Sequence, residues 1–115
     1  MTDTPPPPPP LLHVPLSLET AAKLRLTLTH NELGRGESIP SERHRDEVQI
    51  VTVLEGELLI WMSMRPIPAN VDTALFMPML LTAHCSRTIP ANVYHRLQQY
   101  GSRPVKFVSL YHRTG

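Results

Sequence analysis

A chain of 115 residues has room for one hydrophobic core, and 41% hydrophobic residues fill it even with a proline-rich start set aside. The formal charge is +1 with no long cluster of Lys or Arg, so neither nucleic acid nor an anionic membrane is expected as a partner. A single Cys excludes an intramolecular disulfide and suits a reducing compartment, no apolar run is long enough to span a bilayer, and no basic segment precedes an apolar one at the start; a soluble cytoplasmic protein is expected.

The chain opens on six consecutive prolines, Pro5 to Pro10, followed by Leu11-Leu12-His13-Val14-Pro15. Such a segment favours extended polyproline II and builds no core, so residues 1–15 read as a tail, a spacer or a ligand for an aromatic groove, ahead of a single domain over residues 16–115. Ser17 ahead of Glu19 suggests a short helical turn within Leu16 to Ala22.

Lys23 to His30 alternates cleanly, with Leu24, Leu26 and Leu28 on one face and Arg25, Thr27 and Thr29 on the other. This pattern predicts a half-buried strand whose leucine face turns inward. His30 continues that face, either beside a cavity or exposed at the strand end, and Asn31 to Gly36 reads as a loop.

Glu42 and His44 are two residues apart, so an extended chain sends both side chains off one side. Val48 to Leu54 is mostly β-branched, Glu55-Gly56 makes a turn, and Glu57 to Met62 is again strand-like, which together predict a β-hairpin. Gln49, Val51 and Val53 share one face. A Gln in line with two buried valines needs a partner for its amide.

Arg65-Pro66-Ile67-Pro68-Ala69-Asn70-Val71 matches Arg87-Thr88-Ile89-Pro90-Ala91-Asn92-Val93 at all positions but one, which predicts the same turn twice. Between the copies, Pro78 marks the apolar run Ala74 to Leu81 as an edge strand or bulge. Met62, Met64, Met77 and Met79 read as adaptable core filling, Cys85 as a small buried residue of a strand over Ala83 to Thr88, and His84 as its surface-facing neighbour. After the second copy, Val93, His95, Leu97 and Gln99 form the drier face of a strand. Val105 to His112 closes the domain, with Val105, Phe107, Ser109 and Tyr111 on one face.

The two elements at Gly36 to Gly56 and Ile89 to His95 resemble the paired motifs of the cupin superfamily. Six residues separate Gln49 from Gly56 and four separate His44 from Gln49, so Gly36, Glu42, His44, Gln49 and Gly56 fall where that first motif has glycine, His, His, Glu and glycine. Pro90 and His95 match the second motif; Asn92 stands for a glycine, His84 for its opening glycine and Gln99 for its Asn. The resemblance spans about Leu24 to His112 and implies an all-β, double-stranded β-helix or jelly-roll barrel. Among short single-domain cupins the chain is loosely similar to those related to tellurite-resistance proteins.

On that resemblance Glu42, His44, Gln49 and His95 stand at metal-ligand positions. One carboxylate and two imidazoles, with a neutral amide oxygen assisting, suit a divalent Fe, Mn, Ni or Zn ion. Such a site implies a small-molecule ligand, bound or oxidised as the family's dioxygenases do. Glu42 pairing with Arg43 or Arg45, Asp46 or Glu47 replacing Gln49, and a metal-free barrel binding a sugar or oxyanion without turnover are the alternatives. An exposed sheet edge predicts a homodimer.

Overall fold

The computed structural model describes residues 25–70 and 77–113. The proline-rich tail, the turn expected within Leu16 to Ala22 and the start of the Ala74 to Leu81 run lie outside the described residues. Those described form eight strands and no helix: β1 (Leu26–Leu33), β2 (Ser38–Arg43), β3 (Glu47–Glu55), β4 (Glu57–Ser63), β5 (Met79–Leu81), β6 (Ser86–Ile89), β7 (Tyr94–Tyr100) and β8 (Val105–Arg113). No helix of the described residues is long and apolar enough to cross a membrane.

The strands pair antiparallel into two four-stranded sheets, in the orders β1-β8-β3-β6 and β2-β7-β4-β5. Each sheet turns one face inward. Val51 and Val53 of β3, Leu58 and Ile60 of β4, Leu97 of β7, and Val105 and Phe107 of β8 are fully buried between the sheets. Each such side chain contributes about 1.5–3 kcal/mol on leaving water. The jelly-roll barrel implied by the motifs is therefore present.

β3 and β4 do not form the hairpin that the sequence predicts. Both edges of β3 are taken, by β8 and β6, so Gly56 passes the chain across to the other sheet, where β4 pairs with β7 and β5. Gly56 sits at φ +81 against Pro104 and Val105, leaving no room for a side chain.

The leucine face of β1 is also reversed. Register with β8 sets Thr29 beside Ser109, Asn31 beside Phe107 and Leu33 beside Val105, all on the inward face. Leu28 consequently faces out and is 57% exposed, and His30 is exposed on the same face. β1 runs on to Leu33, confining the loop to the residues after it.

Cys85 is free and exposed, because the chain turns at His84, whose φ of 69 is left-handed, and β6 begins only at Ser86. Met62 packs against the core, but Met64 and Met77 are 74% and 87% exposed and fill none of it. β5 lies at a sheet edge after Pro78, as expected. The two repeat copies both bury their isoleucine, Ile67 and Ile89, but they turn differently: Asn92 is left-handed at φ 67 and Asn70 is not.

Gly56→Ala is expected to destabilise the fold by about 2 kcal/mol or more in urea denaturation, from left-handed strain plus the clash. Its added Cβ would stand 2.5 Å from the Pro104 carbonyl oxygen and 2.9 Å from the Val105 Cα.

Candidate metal centre

The site begins with an irregularity in β2. Ser38 and Ile39 pair with Gln98 and Leu97, but Glu42 and Arg43 pair with His95 and Tyr94, one residue out of step. The extra residue falls around Pro40-Ser41, where the proline has no N–H to give the ladder. Without the bulge Ser41 would lie opposite His95; with it Glu42 does, on the inward face. The Glu42 Oε1 and His95 Nε2 atoms lie 3.8 Å apart.

His44 follows directly after β2. Its carbonyl accepts the backbone N–H of Asn92 at 2.7 Å, tying the first motif to the turn that launches β7. The left-handed Asn92 allows that turn, as its substitution for glycine suggests. The His44 ring then stacks on His95, with centroids 5.3 Å apart and planes inclined by 28°, and meets the edge of Tyr111 at 5.5 Å. One ligating atom each from Glu42, His44 and His95 lie within 4.8 Å of one another.

Gln49 is buried on the facing sheet, at 3% exposure. Its amide Nε2 donates to Ser109 Oγ at 3.0 Å, which leaves the carbonyl oxygen as its free atom. β3 and β8 pair without a slip from Glu47 to Val53, so no bulge replaces Gln49 by Asp46 or Glu47. Nor does an arginine claim Glu42 as an ion-pair partner among the described residues; Arg43 lies over the Tyr94 ring at 4.8 Å.

Gln99 is inward and buried like His95, but it is a structural residue. Its Oε1 accepts the N–H of Gly36, and its Nε2 donates to the carbonyls of Gly101 and Arg103 at 2.8 and 2.7 Å. Sequence reasoning missed Ser109 as the group that orients Gln49. Its signal was present, a small hydroxyl in line with Val105 and Phe107 on an inward face.

Burial makes these polar groups consequential. Nε2 of His44, both ring nitrogens of His95 and Oε1 of Gln49 are buried without a hydrogen-bond partner. Each such atom costs about 1–3 kcal/mol if left unmet. Burial lowers the His95 pKa below its usual value; the Val93 backbone, short of a full hydrogen bond, and the Glu42 carboxylate oppose that, and His44 adds to it. A neutral imidazole keeps a lone pair for a cation. Burial also raises the Tyr111 phenol, so it keeps its proton. Two imidazoles, a carboxylate and an amide oxygen fit a divalent cation, which would satisfy the orphaned lone pairs together.

Comparison with known proteins agrees with this architecture. A family model described as a cupin domain matches residues 30–111. A solved Bacillus halodurans structure superposes with a TM-score of 0.65 at 28% identity, covering 78% of this chain and 64% of that one. A Thermotoga maritima structure described as a predicted oxalate decarboxylase gives 0.65 at 17% identity, covering 85% and 75%. An oxalate oxidase gives 0.63 at 18%, covering 76% of this chain but only 42% of that one. The chain thus spans less than two thirds of the Bacillus protein and under half of the oxidase. No curated protein sequence matches the chain. Nothing in these matches bears on the narrower likeness to tellurite-resistance-related proteins.

The lowered His95 pKa sets a direction for pH dependence. Below about pH 6.5 the unfolded chain takes up the proton first, so stability falls with pH from there down through the lower folded pKa. Thermal melts of metal-free protein from about pH 7.5 to 5 should show the decline, and His95→Leu should flatten it. Parallel curves for the two proteins would contradict this assignment.

Proposed function

Since the chain belongs to the cupin family, we propose that it is a metal-dependent, small-molecule-binding cupin in which Glu42, His44 and His95 hold a divalent ion and Gln49 assists. The observation that carries this reading is the convergence within 4.8 Å of one ligating atom each from Glu42, His44 and His95, with Nε2 of His44 and both His95 nitrogens buried and otherwise unmet. A bound ion would supply a Lewis acid, or with iron or manganese a redox centre, for an oxygen-bearing ligand.

The chain's own groups define what that ligand meets. Glu42 supplies one negative charge and is 46% exposed, so it stands on the open side of the site. Ser109 fixes the Gln49 amide with its oxygen free, and Tyr111, still protonated, offers a hydroxyl donor near Glu42 and His44. Mixed nitrogen and oxygen donors admit Fe, Mn, Ni or Zn. Binding is the primary role, with oxidation of the bound molecule as its catalytic extension. The oxalate-processing relatives share the fold alone at under 20% identity and lend no substrate.

One observation favours a second reading, a metal-free module that binds a sugar or oxyanion. Gln49 is neutral where the family motif has a carboxylate, and its free oxygen equally suits a ligand hydroxyl. The proposal also includes a homodimer in the cytoplasm: Leu28, Leu110 and Ile50 stand in one cross-strand row on an outer face, and a second copy would cover it.

Elemental analysis of the purified protein tests the reading. Near-stoichiometric Fe, Mn, Ni or Zn is expected in the wild type, absent from His44→Ala and His95→Ala. Ser109→Ala is expected to weaken metal binding about 10-fold through the freed Gln49 amide. Folded wild type that takes up no metal on reconstitution would leave the metal-free reading.

A further inference from the structure

An open, shallow cleft of about 300 Å³ is lined by Met62, Met64, Pro90 and Val93 together with Arg87 and Thr88. Two of these walls adjoin His95. Met62 stands opposite it across the β4–β7 pair, and Val93 precedes it by two residues. Arg87 enters from β6, the edge strand of the other sheet among the described residues. No carboxylate pairs with Arg87 among the described residues.

The composition of the cleft selects its occupant. Two methionines, a valine and a proline offer a deformable apolar wall, and Met64 leaves 74% of its surface exposed there. Small-molecule sites combine such walls with one or two charged groups that fix orientation. A lone guanidinium is built for a carboxylate, which it grips with two parallel hydrogen bonds.

We propose that this cleft binds a small organic acid with an apolar body, its carboxylate on Arg87 and its body along Pro90, Met64 and Met62 towards His95. This deepens the metal-centre reading and rests on it for the cleft's purpose: the anchored acid presents its far end beside the centre. The ligand is thus a monocarboxylate bearing a hydrocarbon portion, held away from the metal at its charged end.

Calorimetric titration with hexanoate, hexanamide and acetate tests the assignment. Hexanoate is expected to bind, with hexanamide and acetate at least tenfold weaker because one lacks the charge and the other the body. Arg87→Gln should weaken hexanoate at least tenfold and leave hexanamide unchanged. Met64→Asp, which sets a like charge and a polar group in the apolar lining, should also cost at least tenfold. Wild type stripped of metal by a chelator should keep its hexanoate affinity, so a failed metal centre leaves this result standing. Absence of hexanoate binding, an unchanged affinity in Arg87→Gln, or loss of binding on stripping the metal would each overturn the proposal, the last by placing the carboxylate on the metal itself.

Discussion

One backbone hydrogen bond holds the candidate centre together: the Asn92 N–H donating to the His44 carbonyl at 2.7 Å. His44 lies outside any strand, so no sheet ladder fixes it. The bond ties it to the turn that opens β7, and β7 carries His95. Asn92 reaches the position because its backbone is left-handed, a conformation that a β-branched residue would resist. The bulge in β2 completes the arrangement by carrying Glu42 onto the His95 face.

Around this join, the two sheets divide the work. The β2-β7-β4-β5 sheet supplies Glu42 and His95, and the β1-β8-β3-β6 sheet supplies Gln49, Ser109 and Tyr111. The barrel interior is filled by Val51, Val53, Leu58, Leu97 and Phe107, all fully buried, and His95 and Gln49 are buried with them while Glu42 stays half-exposed. Burial therefore explains both the lowered His95 pKa and the unmet nitrogens. Gln99, inward on the same strand as His95, shows the contrast: backbone groups satisfy its amide at both ends, so it has nothing left to offer a ligand.

Much of this was legible in the sequence. Period-two alternation placed Gln49, Val51 and Val53 on one buried face and His95, Leu97 and Gln99 on another, and the motif spacing marked Glu42, His44 and His95 before any were seen to meet. What stayed hidden depends on pairing. Alternation in β1 identifies two faces but not which turns inward, and only register with β8 shows that Leu28 points out. A glycine between two strand-like runs does not say whether it joins neighbours or crosses between sheets; Gly56 crosses because β3 already has two partners. The β2 bulge leaves no mark beyond Pro40, and the role of Ser109 required knowing that β8 lies beside β3. Cys85 and Met64 read as core from residue type alone, and their exposure follows from turns and strand ends that composition cannot locate.

The central claim is that Glu42, His44 and His95 form a metal centre. X-ray absorption spectroscopy at the metal edge of the purified protein tests it most directly. The account predicts a first coordination shell of nitrogen and oxygen at about 2.0–2.2 Å that contains two imidazoles, one of which disappears in His44→Ala. A shell without imidazole scattering, or one unchanged by that substitution, would contradict it.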